Sequence, residues 1–86
     1  MHSVILLEHA LTVAQNLGFL VREEYVGDIE GGSCVVRGQK MLFLDPQLSI
    51  PDRLAIVCDT LSGDPQLDRS ALPPELAARL TVRKAA

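Results

Sequence analysis

The first seventeen residues carry apolar side chains at the spacing of a helix. Five of these apolar residues follow one another at spacings of three or four positions, which places them on one side of an α-helix. We therefore predict a helix over residues 4–17, capped by Ser3 and ended by Gly18. Three more apolar residues widen the apolar part beyond one stripe. The stripe consists of Val4, Leu7, Leu11, Ala14 and Leu17, and the residues that widen it are Ile5, Leu6 and Val13.

β-Branched and aromatic residues then predict three strands. The first covers residues 19–26, with its charged middle near solvent. A glycine-rich loop at residues 27–32 follows, and residues 33–45 (SCVVRGQKMLFLD) predict a hairpin. We expect Gly38 at the first central position of a type II′ turn. By strand alternation, Cys34 and Val36 share one face of their strand, and Met41 and Phe43 share one face of the returning strand.

A second helical pattern begins at Ser49, which forms a capping-box-like pair with Asp52. The predicted helix runs to about Ser62 and ends at Gly63. In the tail, two prolines favour the start of a short third helix. The apolar stripe of the second helix consists of Ile50, Leu54, Val57 and Leu61, and Cys58 widens it. The apolar residues of the tail are Leu67 and Leu72 before the prolines Pro73 and Pro74, and Leu76 and Leu80 after them.

The predicted element order is α-β-β-β-α-α within one domain, residues 1–86. Such an order is typical of an α+β protein, and we expect a three-stranded antiparallel sheet with the helices mostly on one face. A chain of 86 residues lies near the lower end of what folds alone. A homodimer or another partner would add stability to so small a core.

Charge and composition exclude several classes of function. Eleven acidic and eight basic residues give a net charge of −3, and aromatic residues make up 3% of the chain. The chain therefore lacks the basic surface and the stacking side chains of a nucleic-acid-binding protein. No apolar run reaches the length of a membrane span, and the N-terminal segment lacks the basic region of a signal peptide. We expect a cytoplasmic location, with Cys34 and Cys58 as reduced thiols.

Residues that could carry chemistry are few, and their spacing predicts no metal and no cofactor. The two histidines, His2 and His9, lie about two helical turns apart, and the cysteine spacing matches no zinc pattern. Four acidic residues lie close together in the sequence: Glu23, Glu24, Asp28 and Glu30. We interpret this cluster as part of a solvated strand edge and loop; the alternatives are that it contacts a basic partner surface or binds a cation. The cluster lacks the ligand order of a calcium loop.

Residues 30–63 resemble the core of the ImmA/IrrE-type zinc metalloproteases, in which a glycine-led hairpin leads into a helix with an HExxH motif. In this chain Asp59, Thr60 and Gly63 take the places of His, Glu and His. Thr60 cannot act as the general base that activates a zinc-bound water. The resemblance implies a catalytically dead helix. The whole chain also resembles uncharacterised small bacterial proteins that combine LG, a strand, GGxC, a hairpin and a late LPP, a likeness that implies no known activity.

These observations predict a small bacterial protein without enzymatic activity that acts through a surface, as a homo-oligomer or as an adaptor. The surface residues are expected to be Glu23, Glu24, Asp28, Glu30, Ile5, Leu6 and Val13. The alternative is a small thiol-dependent enzyme or redox protein that uses Cys34, which would show rapid alkylation of that residue at neutral pH. A third hypothesis, a cation held by the acidic loop, ranks last.

Overall fold

A computed structural model describes residues 2–25 and 32–80 of the chain. The predicted α+β class and the order of helices and strands are confirmed, with a short 3₁₀ turn added before the last helix. The elements are α1 (Ser3–Asn16), β1 (Leu20–Arg22), β2 (Ser33–Val36), β3 (Gln39–Phe43), α2 (Ile50–Ser62), the 3₁₀ turn (Arg69–Ala71) and α3 (Pro74–Arg79).

Helix α1 ends at a glycine, as its sequence predicts. Gly18 has φ of +97°, a conformation that L side chains rarely adopt. Its N–H donates to the Gln15 carbonyl, and the Phe19 N–H donates to the Ala14 carbonyl, both at 3.0 Å. These two bonds form the Schellman arrangement that satisfies the last carbonyls of a helix. At the other end the cap is His2, which provides no side-chain hydrogen bond, so Ser3 is not the cap.

The buried side of α1 is rotated from the predicted stripe. Leu6, Leu7, Ala10 and Ala14 are buried, whereas Val4 is 51% exposed. The predicted stripe starting at Val4 is therefore wrong in its first turn. Since eight of the fourteen residues of α1 are apolar, local spacing alone did not determine which side faces the core.

The sheet has the strand order β1-β3-β2, so β3 lies in the centre. β2 and β3 form the predicted antiparallel hairpin, but β1 runs parallel to β3, with Leu20 beside Met41 and Val21 beside Leu42. The expectation of a fully antiparallel sheet is therefore wrong. A parallel pair needs a long connection, and the segment from residue 23 to residue 38, which includes β2, provides it.

The hairpin turn is type I′ instead of the predicted type II′. Arg37 and Gly38 are its two central residues, with φ of 51° and 81°. Val36 pairs with Gln39, which fixes a two-residue loop. Positive φ at both central positions defines type I′, and Arg37 adopts it at the first position.

Helix α2 follows its sequence signals closely. The Ser49 Oγ accepts a hydrogen bond from the Asp52 N–H at 3.2 Å, and Pro51 lies in the first turn. Both predicted ends of the helix, Ile50 after the cap and Ser62 before Gly63, are confirmed. The tail leucines also reach the core. One cluster of buried residues joins all three helices and β3 (Leu6, Leu7, Ala10, Ala14, Leu42, Leu44, Leu54, Val57, Cys58, Leu61, Leu72, Leu76 and Leu80).

The start of β2 lies so close to α2 that no side chain fits there. Gly32 has φ of +79°, and a Cβ on it would lie 2.8 Å from Ile56 Cγ2 and 2.8 Å from the Phe43 carbonyl oxygen. The second of these atoms is backbone and cannot move aside cheaply. The glycine-rich loop therefore ends on a residue whose identity is fixed by packing.

We expect Gly32→Ala to lower the free energy of unfolding by about 3 kcal/mol or more, because it combines left-handed strain with a steric clash. Gly38→Ala is the matched control, since Gly38 has φ of +81° but nothing within 4 Å of an added Cβ. Its cost should be about 1 kcal/mol. Urea unfolding measures both values. Equal losses in the free energy of unfolding for the two variants would show that the close contact of Gly32 with α2 and Phe43 does not add to the cost of a side chain at this position.

Candidate functional site

One face of the sheet carries apolar side chains but no helix of the described residues. Leu42 belongs to the core cluster to which all three helices contribute, so the helices lie on the Leu42 face. Met41 and Phe43 alternate with Leu42 and point the other way. Their neighbours in the register are Leu20 and Cys34. None of these four residues belongs to the core cluster.

We call this surface the helix-free face and define it by Leu20, Cys34, Val36, Met41 and Phe43. Leu20 is 47% exposed and Val36 is 50% exposed, while the other three are partly buried by neighbouring strands. Exposed apolar side chains are common singly, but a contiguous set on one flat surface is typical of a contact site.

A second feature is an open cleft of about 360 Å³ between the hairpin and the C-terminal end of α2. Ser33, Val35 and Lys40 line it from the hairpin, and Thr60 and Asp64 line it from the helix end. Of the polar groups in its walls, Lys40 bonds to Asp64, and Thr60 donates to the Ile56 carbonyl.

Lys40 links three parts of the fold. Its Nζ donates to a carboxylate oxygen of Asp64 at 2.6 Å and to the Leu17 carbonyl, at the end of α1, at 3.0 Å. It also lies 5.1 Å from the centre of the Phe19 ring. A cation is favoured both at a helix C-terminus and over an aromatic face. Lys40 therefore ties β3 to the ends of both long helices.

The carboxylate of Asp64 is held in its charged form. The hydrogen bond from Lys40 lowers its pKa most, partial burial opposes this, and the Gln66 N–H, which donates to it at 2.8 Å, lowers the pKa further. Its side chain is only 3% exposed. A nearly buried charge with a close partner and a second donor is fully paired, which is the condition under which such a charge is tolerated.

The predicted surface residues do not come together as one site. Ile5 is exposed on α1, but Leu6 is fully buried and Val13 packs partly buried against the core. Leu6 is therefore removed from the predicted surface, since it lies on the side of α1 that faces the core. Glu23 and Glu24 are exposed just after β1, and Asp28 and Glu30 lie outside the described residues.

Both cysteines are free thiols in different surroundings. Cys34 is partly buried on the helix-free face, whereas Cys58 is buried in the core cluster. Burial raises the pKa of the Cys58 thiol, and the nearby Arg79 guanidinium opposes this rise. A neutral, inert thiol is the expected state of such a residue. The predicted place of Cys58 beside the apolar stripe of α2 is confirmed.

The helix that resembles the protease helix presents no ligand set in the described residues. Thr60 Oγ1 donates to the Ile56 carbonyl at 3.0 Å, a bond within the helix, and Asp59 is exposed. Across residues 2–25 and 32–80, no three histidine, cysteine, aspartate or glutamate side chains lie close enough together to hold a metal ion. In that part of the chain, no helix is both long and apolar enough to cross a membrane.

Sequence reasoning missed the Lys40–Asp64 pair and the helix-free face as a unit. The two charged residues are 24 positions apart, so no local pattern joins them. The face was partly visible, because alternation correctly put Met41 and Phe43 on one side of a strand. Only the sheet order shows that Leu20 joins them.

Comparison with known proteins gives no match to a family model, to a curated protein or to a solved structure. The resemblance to ImmA/IrrE-type proteases therefore stays a prediction. The function has to be argued from the geometry of the chain itself.

We expect Lys40→Met to lower the free energy of unfolding by about 2 kcal/mol at pH 7, because it leaves Asp64 charged and nearly buried. The pKa of Asp64 is lowered in the folded state, so its pairing stabilises the fold above the ordinary aspartate pKa of about 3.9. That stability is lost as the pH falls through the lowered value. The difference between the wild type and the variant should therefore shrink below pH 4.

Arg22→Met is the matched control for that measurement, since it breaks the exposed ion pair between Arg22 and Glu24 at 3.0 Å. Its effect should stay below about 0.5 kcal/mol. Urea unfolding from pH 2 to pH 7 measures all three proteins. A pH-independent loss in Lys40→Met would contradict the assigned role of the ion pair.

The two thiols should react at very different rates with a thiol reagent such as dithionitrobenzoate. Cys34 is the more accessible residue, so the native protein should release about one equivalent of product quickly and the second only in denaturant. Cys34→Ser should abolish the fast phase. A Cys34 rate above that of glutathione under the same conditions would instead favour the thiol-dependent alternative.

Proposed function

We propose that this chain is a non-enzymatic protein-interaction module that binds a protein through the helix-free face of its sheet. The observation that carries the proposal is the contiguous apolar surface of Leu20, Cys34, Val36, Met41 and Phe43, opposite the face on which Leu42 joins the core cluster of the helices. An apolar face of this kind gains free energy when a partner removes it from water.

The rim of that face supports the proposal. Arg22 is two positions from Leu20 and therefore lies on the same face of β1. Its guanidinium pairs with Glu24 at 3.0 Å, and both side chains are about half exposed. A polar, solvent-accessible rim around an apolar centre is the usual anatomy of a protein interface. Four acidic residues were predicted from the sequence as part of an interaction surface. Two of them, Glu23 and Glu24, lie beside the proposed contact.

A contact site on the sheet differs from the one that the sequence predicted on α1. Val4 and Ile5 do form an exposed apolar pair on that helix, but only two residues contribute. The helix-free face is larger and is built on hydrogen-bonded strands, which hold its side chains in fixed relative positions. The proposal includes a cytoplasmic place of action and requires no metal, no cofactor and no nucleic acid.

The test is a pull-down from the native cytoplasm with the wild type and two variants of equal charge change. Leu20→Lys places a charge on the helix-free face, and Val4→Lys places the same charge on α1 at a similarly exposed site. We expect a partner held by the wild type and by Val4→Lys to bind Leu20→Lys at least about tenfold more weakly, since that charge would be desolvated in the interface.

The folding of each variant is checked by its thermal unfolding before binding is compared. Partners that bind all three proteins equally would show that the helix-free face is not the contact. Selective loss in Val4→Lys would transfer the function to the exposed pair on α1.

A further inference from the structure

The outer edge of β2 carries backbone groups that no described strand pairs. β3 is the neighbour of β2 on one side, and the other side is the edge of the sheet. The Phe43 N–H donates to the Gly32 carbonyl at 2.6 Å, so these residues form a hydrogen-bonded pair. Such pairs alternate with non-hydrogen-bonded ones along an antiparallel ladder. The N–H and C=O groups of Ser33 and Val35, at the alternate positions, therefore point away from β3.

Within the part of the chain that the structure describes, this edge is accessible, and residues 32–36 carry no charge. Val35 is 68% exposed, so no described element covers the edge beside it. Residues 32–36 (GSCVV) contain no charged side chain and no proline, which are the devices that usually keep sheet edges apart. The opposite edge differs, because β1 ends in Arg22 and is followed by Glu23 and Glu24.

We propose that β2 pairs antiparallel with β2 of a second copy of this chain, with Cys34 of each copy on the twofold axis. The proposal goes beyond the proposed function, because it uses the edge of β2 and not the helix-free face. In this register Ser33 of one copy lies opposite Val35 of the other, and each such pair exchanges two hydrogen bonds. In the two copies together, Ser33 and Val35 have four outward-pointing N–H groups and four outward-pointing C=O groups. In this register all eight groups form hydrogen bonds between the copies.

The strand itself selects this register. If Ser33 faced Ser33 of the second copy, or Val35 faced Val35, only one pair of residues would exchange hydrogen bonds. The other outward-pointing groups would have no partner among the described strand residues. A shift by one residue would align groups that point back toward β3 and would also turn the side chains to the other face. The register centred on Cys34 therefore forms the most hydrogen bonds.

The same register determines what surrounds the axis. Cys34 and its counterpart form a non-hydrogen-bonded pair, for which the Cα atoms lie about 4.5 Å apart. Because Cys34 lies on the helix-free face, pairing joins the two helix-free faces across one six-stranded sheet. Four residues a strand make a small interface, so we expect a dimer of moderate affinity, with Kd on the order of 10–100 μM.

Sedimentation equilibrium between 10 μM and 1 mM tests the dimer. Val35→Lys places a charge at the edge where two copies would meet, and Val4→Lys is the matched control on α1. We expect Val35→Lys to raise Kd at least tenfold and Val4→Lys to leave it within twofold. A wild type that stays monomeric at 1 mM, or a dimer that Val35→Lys does not weaken, overturns the proposal.

Disulfide trapping tests the register. Diamide takes two hydrogen atoms from two thiols and leaves one disulfide. Cα atoms about 4.5 Å apart fall within the 4.4–6.8 Å that a disulfide spans, so the wild type should form a covalent dimer through Cys34. The control is Cys34→Ser combined with Val36→Cys, which moves the thiol two positions along the same face. The introduced thiols of the two chains would lie four residues apart along the paired strands, about 13 Å, and should not cross-link.

Equal trapping of the two cysteine positions would overturn the register. This inference and the proposed function fail separately, because Leu20 lies on β1, away from the β2 edge. A monomer whose partner still depends on Leu20 overturns the dimer and keeps the helix-free face as the contact. A Val35-dependent dimer with no Leu20-dependent partner keeps the edge pairing and removes the second contact.

Discussion

Strand β3 forms hydrogen bonds with a parallel strand, β1, on one side and with an antiparallel strand, β2, on the other. The rest of the structure depends on this double pairing. Its Phe43 N–H bonds to β2 at Gly32, and the next N–H, that of Leu44, bonds to β1 at Arg22. Successive backbone groups thus go to alternate sides. The side chains alternate as well, so that Leu42 and Leu44 reach the helices and Met41 and Phe43 do not. One five-residue strand, Gln39–Phe43, therefore sets both the core and the helix-free face.

Lys40 brings the same strand into register with the helix ends. Its ammonium bonds to the last turn of α1 and to Asp64, just after α2, so a shift of β3 by two residues would separate all three groups. Hydrophobic burial is non-directional, so a core of aliphatic side chains discriminates less sharply against such sliding. A single nearly buried ion pair is sensitive to it, since leaving Asp64 unpaired costs about 2 kcal/mol. The pair thus adds specificity that the aliphatic core lacks.

The sequence was sufficient for most of the local signals, although the predicted Ser3 cap and the predicted type II′ turn are wrong. Capping at Ser49, the stops at Gly18 and Gly63 and the alternation in β3 depend on residues within a few positions of one another, and the structure confirms them. It was insufficient where the outcome depends on distant pairing. The direction of β1 relative to β3 follows from a connection of sixteen residues, and nothing in the strand LVR itself encodes it. The buried side of α1 likewise depends on where α2 lies, which is why Leu6 was assigned to a surface.

The edge and the face of β2 are coupled by the same geometry. Position 32 must be glycine because α2 and the Phe43 carbonyl leave no room for a Cβ, so no protective charge can stand there. A charge at position 34 or 36 would protect the edge but would lie on the helix-free face. Position 33 could carry a charge without either cost, because the Ser33 side chain is exposed and lies on the face opposite the helix-free face. A lysine instead of serine there would change the free energy of unfolding through strand propensity by less than about 1 kcal/mol. The uncharged edge is therefore not required by the fold, and pairing with another strand gives it a physical reason.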